Sequence, residues 1–292
     1  MIGLVTYAKF PDLTDDDRPL VAELAAVGVQ ARPVRWDDAE VRWTDFDLLV
    51  LRSCWDYHLR AGEFRRWLSL LERMRVPLWN PVPLVRWNMH KGYLRDVAEA
   101  GGGVLVPRTR WVEQGERTTL STIFREERWP HAIVKPAISA SATDTFRASP
   151  RVRPDASRFA ELVGRGDVLV QEVIEEVATE GEWSLVFIDG DYSHATIKRP
   201  APGDFRVQAE LGGSAEPVAA PESLIAAGER IAARISHPWL FARIDGVSTS
   251  RGFMLMEIEC IEPHLFFDAA PGSRSRFAEG VRRAMAAAAP TP

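Results

Sequence analysis

The run Phe253-Met254-Leu255-Met256-Glu257-Ile258-Glu259-Cys260-Ile261-Glu262-Pro263 constrains this chain more than any other stretch. It reads as a strand, apolar and bounded by Ser250-Arg251-Gly252 before and Pro263 after. Glu257 and Glu259 alternate within it, so both point to one face, with Cα atoms roughly 6.5–7 Å apart. Two like charges beside apolar neighbours repel each other and resist burial. A divalent cation between them relieves both penalties, and oxygen donors of this kind suit Mg²⁺. Phe241-Ala242-Arg243-Ile244-Asp245-Gly246-Val247 reads as a second strand, joined to the first as a hairpin through Ser248 to Gly252. With Val247 opposite Phe253, Asp245 falls diagonal to Glu257 on the same face. Asp245, Glu257 and Glu259 are therefore candidate metal ligands. The competing reading is three solvated carboxylates on an exposed face.

The 292 residues are 46% hydrophobic and 26% charged, as in ordinary soluble proteins, and suffice for two or three subdomains. A net charge of −5 leaves no global basic field, which argues against nucleic acid as a main partner. Cys54 and Cys260 stand far apart with no CxxC, so neither zinc nor a disulfide framework is indicated. No apolar run approaches ~20 residues, and Met1 to Tyr7 reads as a first strand rather than a leader, so the expectation is a cytoplasmic protein with no membrane span.

Along the chain, Ile2 to Tyr7, Val29 to Val34, Asp47 to Leu51 and Val76 to Trp79 read as strands. Helices fall between them, from about Arg18 to Val27 and around Phe64, Trp67, Leu68 and Leu71. This alternation predicts a small parallel α/β domain over residues 1–85. Beyond its third strand lies Arg52-Ser53-Cys54-Trp55-Asp56-Tyr57-His58, where open α/β sheets gather ligands. Arg52, Trp55 and Asp56 are candidates to hold a small zwitterion, the arginine forking onto a carboxylate. Packing of Trp55 and Tyr57 against the next domain is the other reading.

A helix is then predicted from Asn88, carrying Lys91, Tyr93, Leu94, Val97 and Ala98 and stopping at Gly101-Gly102-Gly103. Arg110 to Val112 reads as a strand and Leu120 to Arg125 as a helix. His131 to Pro136 is a buried strand that ends in Lys135, followed by the small, hydroxyl-rich loop Ala137 to Thr143. Backbone N–H groups with Ser139 and Ser141 can cradle phosphate oxygens there, Lys135 supplying charge, although such loops are also common without a ligand. Asp167 to Ile174 is a strand; Glu182 to Ile188 and His194 to Lys198 form an antiparallel meander through Asp189-Gly190-Asp191. Gly203-Asp204-Phe205-Arg206-Val207-Gln208 and Gly212-Gly213 follow, then an amphipathic helix from Pro221 to Ile235. An Ala-rich helix from Arg276 to Ala289 closes the chain.

The order of these parts resembles the ATP-grasp superfamily, most closely the prokaryotic glutathione synthetases and ribosomal-protein glutamate ligases, over roughly residues 80–268. The resemblance implies an α/β, ATP-grasp fold. An N-terminal parallel α/β domain (1–85) would stand on the substrate side, with a central subdomain (86–165) and a C-terminal subdomain (166–292) gripping ATP. Lys91 and Lys135 fall where the family's two nucleotide lysines lie, and the loop with Ser139 and Ser141 where its phosphate loop lies. Gln171, Glu172, Val173 and Ile174 resemble the adenine hinge, and Glu182 falls near the usual ribose contact. Lys198, Arg206 and Gly212-Gly213 resemble the basic and glycine positions that face phosphate and substrate. Asp245, Glu257 and Glu259 match the three metal positions, with one departure: the last is usually Asn.

By this resemblance the chain is an ATP-dependent carboxylate–amine ligase that uses ATP and Mg²⁺, with two ions implied, and works through an acylphosphate on a small amino-acid-like substrate. Arg206 and Lys198 would be catalytic. The Glu-Ile-Glu-Cys-Ile-Glu-Pro stretch points to the branch of biosynthetic ligases that closes O-ureidoserine to cycloserine, an antibiotic-forming reaction. Phosphotransfer to a hydroxyl and a non-catalytic ATP-binding module are the alternatives. Relatives are often dimeric, which leaves a homodimer as an open expectation.

Overall fold

The structure is a computed structural model that describes residues 1–150, 152–201, 203–207 and 211–288. Gln208 and Ala289, both part of the sequence reading, lie outside the described residues.

Strand β1 (Ile2–Thr6) is buried at every residue. It runs parallel between β2 (Ala31–Arg35) and β3 (Leu48–Leu51), with β4 (Leu78–Trp79) beyond β3. A parallel strand covered on both faces has no wet side, so it is apolar throughout. Helix α1 (Leu20–Ala26) packs on one face of this sheet and α2 (Ala61–Met74) on the other, the latter through Phe64, Trp67, Leu68 and Leu71. The 3.6-residue spacing of those four apolar residues is what made α2 legible.

Helices α3 (Val82–Asn88) and α4 (Tyr93–Glu99) lead to a second sheet. In chain order it comprises β5 (Thr109–Val112), helix α5 (Leu120–Glu127), β6 (Ala132–Pro136), β7 (Phe146–Ala148), helix α6 (Arg153–Arg165) and β8 (Val168–Glu172). The sheet order is β5-β8-β6-β7, all antiparallel. Val134, Val168 and Val170 face α5 and α6, packing on Ile123, Phe124, Phe159 and Leu162. The period of two then sends Ile133, Lys135 and Gln171 to the opposite face, toward the cleft.

After the short helix α7 (Glu176–Thr179) comes a five-stranded antiparallel sheet. It is built from β9 (Glu182–Ile188), β10 (Asp191–Arg199), β11 (Ser214–Val218), helix α8 (Glu222–Ala232), β12 (Phe241–Thr249) and β13 (Gly252–Glu259), in the order β11-β10-β9-β12-β13. Leu185, Phe187, Ala195, Ala242 and Ile244 pack beneath α8, through Ile231. The alternate residues Glu182, Lys198, Arg243, Asp245, Glu257 and Glu259 line the cleft. The chain ends in α9 (Ser273–Ala288), whose Phe277 and Val281 return to the core shared by β1, α1, Val186, Ile188 and Phe241.

The structure corrects the sequence reading in four places. The helix predicted from Asn88 starts only at Tyr93: Asn88 is the last residue of α3, which the sequence reading did not foresee, and Lys91 lies in the turn between α3 and α4. Asn88 closes α3 because its side chain is spent elsewhere: it donates to Ile258 O (2.8 Å) and accepts from Cys260 N (2.7 Å), capping the outer edge of β13. The boundary drawn at 165/166 splits the second sheet, since β8 sits between β5 and β6; the division belongs after β8. In the acidic hairpin Val247 pairs with Met254 rather than Phe253, and a bulge that takes up Met256 sets Asp245 directly opposite Glu257. Gly246 permits this, because a Cβ there would stand 2.4 Å from the Phe253 ring and 2.7 Å from Met254 O. Strands β7 and β11 and helices α6 and α7 had no counterpart in the sequence reading.

Candidate active site

A cavity of about 530 Å³ opens between the second and third sheets and reaches the loop after β3. Its floor is a register effect. On the cleft face of the third sheet Lys198 is paired with Glu182, Ser184 with Asp245, Asp245 with Glu257 and Arg243 with Glu259. Cross-strand neighbours of opposite charge stabilise such a face. Lys198 Nζ donates to Asp245 (2.8 Å) and lies 2.6 Å from Glu182. Arg243 forks onto Asp245 (2.9 Å for each bond) and also bonds Glu259. Ser184 donates to the same aspartate at 2.7 Å.

Asp245 is 2% exposed and accepts four hydrogen bonds, about the full capacity of a carboxylate. Burial works against its charge, but Arg243 and Lys198 outweigh burial and hold its carboxyl below the usual range. Burial likewise opposes Glu257, and Lys91 with Lys135 overcomes it, keeping that carboxyl low. Glu259 goes the other way: burial, with Asp245 and Glu257 nearby, lifts it to about 7 despite Arg243. The reading of three solvated carboxylates is thus overturned. Among the described residues no three of His, Cys, Asp or Glu converge closely enough to hold a metal by themselves.

The roof supplies the lysines. Lys91 Nζ donates to Glu257 (2.6 Å) and to Ser139 O (2.9 Å), tying the turn between α3 and α4 to the loop after β6. Ser141 and Ala142 in that loop take left-handed backbone angles (φ 50° and 53°), uncommon for non-glycine residues, so the loop curls tightly beside Lys91. Lys135 projects from the cleft face of β6 and, among the described residues, has neither a hydrogen bond nor an ion pair. Burial, reinforced by the charge of Lys91, lowers its pKa to about 8. Gln171, Glu172, Val173, Ile174, Ile133 and Met256 form the more apolar end of the cavity.

At the other end stand Trp55, Tyr57, Arg206, Glu262, His264 and Phe266. Arg206 is held by Asp204 at 2.8 Å. Of the sequence-selected residues, Lys91, Lys135, Ser139, Ser141, Gln171, Glu172, Val173, Ile174, Glu182, Lys198, Arg206, Trp55, Asp245, Glu257 and Glu259 line this one cavity.

Arg52, Asp56, Gly212 and Gly213 do not line it, although Ser214 beside the glycines does. Arg52 is 1% exposed, pairs with Asp17 at 2.9 Å, donates to Pro263 O at 3.1 Å and lies over the rings of Phe241, Phe267 and Phe277. Through Nε and Nη2 its guanidinium joins the first domain to the segment after β13, while Nη1 stays buried without a partner. Asp56 accepts from Trp36 Nε1 at 2.9 Å and lies 3.6 Å from Arg60, turned into its own domain. The sequence reading missed Glu262, His264 and Phe266 as cavity residues. Glu262 carried the only signal, as a third acid in the same apolar run.

The arrangement fits a nucleotide with magnesium by its donor chemistry. A half-buried lysine without a partner among the described residues, beside Lys91, calls for polyanion, and Glu257 and Glu259 each have an oxygen not engaged by a cation. Mg²⁺ is ordinarily held by one or two carboxylates together with substrate phosphates, so a three-acid cage is not required.

Known proteins resemble this chain over nearly its whole length. Residues 2–80 match the family model described as the N-terminal domain of D-cycloserine synthetase DcsG. The cycloserine biosynthesis protein DcsG of Streptomyces lavendulae is 31% identical over 305 aligned residues, covering 96% of this chain and 97% of that protein. The crystal structure of D-cycloserine synthetase DcsG superposes with a TM-score of 0.86 at 28% identity, covering 97% of this chain and 99% of the other. D-alanine–D-alanine ligase of Bacillus anthracis complexed with ATP superposes at 0.69 with 15% identity, covering 98% and 97%, a likeness of fold alone. ATP-grasp ligases use ATP and Mg²⁺, and neither a phosphotransferase nor a non-catalytic module is favoured for this chain. No helix among the described residues is long and apolar enough to cross a membrane. With that identity over nearly its whole length, the chain belongs to the DcsG family of ATP-grasp enzymes, ATP-dependent ligases that form carbon–nitrogen bonds.

Proposed function

We propose that this enzyme closes O-ureidoserine to cycloserine at the expense of ATP, as the names of its relatives suggest. The single observation that carries the reading is Lys135, a half-buried cation with no partner among the described residues, facing an acid-lined floor. The nucleotide base lies at the Gln171–Ile174 end, with Glu182 near the ribose and the phosphates between Lys91, Lys135 and the 139–143 loop. Glu257 and Glu259, with Asp245 beside them, would hold magnesium, and two ions are proposed. Magnesium, when bound, neutralises charge on the phosphates undergoing transfer.

The substrate carboxylate attacks the γ-phosphorus and ADP leaves. The ureido nitrogen attached to oxygen then attacks the acyl carbon of the acylphosphate, closing the five-membered ring and expelling phosphate. One water removes the carbamoyl group as carbamate. Arg206 donates to the acylphosphate and to the oxyanion of the addition step, where fixed donors act most strongly. The 139–143 loop keeps bulk water from the acylphosphate.

The test is ADP release from ATP–Mg²⁺ with O-ureidoserine, with mass spectrometry of the product. Stoichiometric ADP, phosphate and a five-membered cyclic product support the reading. A phosphorylated substrate, or no ADP above the rate without substrate, ends it.

A further inference from the structure

We infer that Glu262 is the receptor for the substrate's ammonium group; this rests on the proposed amino-acid substrate. Glu262 is 7% exposed and lines the cavity together with Trp55, Tyr57 and Phe266. Its carboxylate makes no hydrogen bond and no ion pair among the described residues. A buried carboxyl without a partner is costly, so a fold that keeps one facing a cavity keeps it for a ligand. The cations nearest in the cleft are already committed. Lys91 serves Glu257 and Ser139 O, and Arg243 serves Asp245, Glu259 and His264 O (3.0 Å). The missing positive charge therefore comes with the substrate.

The segment that carries Glu262 is fixed on both sides. Cys260 N is held by Asn88, Glu262 O accepts from Trp55 Nε1 at 2.9 Å, Pro263 O accepts from Arg52, and His264 O accepts from Arg243. The carboxyl is thus placed before substrate arrives, which lowers the ordering cost of binding. Trp55, Tyr57 and Phe266 wall the same end with aromatic rings, which favour a desolvated ammonium. An ammonium at Glu262 and a phosphorylated carboxyl at Arg206 would fix both ends of one amino acid. The Arg52–Asp56 pair inferred from the sequence is replaced in that role.

The experiment compares wild type with Glu262→Gln on O-ureidoserine and on its analogue lacking the α-amino group, with ATP–Mg²⁺ in excess. Expected are a loss of about 10²-fold in kcat/KM for the amine substrate and less than about threefold for the analogue, with KM for ATP and the melting temperature unchanged. Equal losses on both substrates, or no loss on either, overturn the assignment. If wild type turns over neither compound, the functional reading fails by itself. Glu262 is then read by thermal shift with D- and L-serine in the presence of ADP–Mg²⁺. A shift in wild type that is absent in Glu262→Gln upholds the receptor, whereas a shift kept in the variant, or none in wild type, overturns it.

Discussion

Arg52 and Lys135 occupy matching stations in two different sheets: each stands at the end of a short strand, Arg52 fully buried and Lys135 half-buried on the wall of the cleft. From the sequence both were candidates for ligand binding. Arg52 is enclosed by its own counter-ions, with Asp17 and the Pro263 carbonyl on its nitrogens and three phenylalanine rings around it. Lys135 meets no carboxylate within reach, and its nearest strong influence is another lysine. A buried cation whose partners come from the chain holds the chain together, and one whose partners are missing awaits a ligand.

Substitution at Arg52 breaks or upholds the first half of that contrast, with the largest effect expected. Arg52→Met leaves Asp17 buried without its cation and costs about 3–5 kcal/mol of stability, read by urea unfolding. A loss below about 1 kcal/mol would mean that Arg52 is not a structural partner. Lys135→Met should do the reverse. It lowers kcat/KM for ATP by about 10²–10³-fold, as removal of a donor to transition-state charge does, while stability at neutral pH stays equal or rises. If Lys135→Met unfolds the protein and spares turnover, the contrast inverts.

Arg206 sharpens the comparison from a third position. Its partner Asp204 is part-exposed, like Arg206 itself, and exposed ion pairs contribute within about 1 kcal/mol. Arg206→Ala is therefore expected to leave the melting temperature unchanged and to lower kcat by about 10²-fold, measured by steady-state ADP release. An unchanged kcat removes Arg206 from the chemistry.

The contrast also marks how far the sequence could be read. Local pattern sufficed where the neighbours of a residue are near in the chain. The continuous apolar strands of the parallel sheet, the Phe64–Leu71 stripe of α2 and the alternation in β12 and β13 all fell where expected. Of the cavity residues, those on β12 and β13 came from alternation and Lys135 from its strand-and-loop setting, whereas those on β8, β9 and β10 were named from the ATP-grasp resemblance. What could not be read was pairing across long separations. Asp17 and Pro263 meet Arg52 from opposite ends of the chain, and Asn88, expected to start a helix, instead ends α3 and spends its amide on β13 far downstream. The bulge at Met256 depends on contacts between Gly246 and the Phe253 ring, which no spacing rule shows. Strand β8 was recognised but assigned to the wrong subdomain, because its partners β5 and β6 are identified only by the sheet order.

The smallest expected effect is also the most specific to Lys135. A base whose pKa falls on folding destabilises the fold while it is charged. With a folded value of about 8 against 10.5 in the unfolded chain, the penalty is complete below about pH 8 and fades as pH rises toward 10.5. The stability gain of Lys135→Met should therefore be largest at neutral pH and shrink above pH 8 in thermal melts. Nucleotide binding has the same origin. Phosphate favours the charged lysine, so above about pH 8 the free enzyme must take up a proton to bind ATP, and affinity falls. Calorimetry in buffers of different ionisation enthalpy should find uptake near zero at about pH 6.5, approaching one proton per ATP by about pH 9. Lys135→Met should abolish that rise. Uptake that persists in the variant would assign the proton to another group, and Lys135 would then be a spectator with an unusual address.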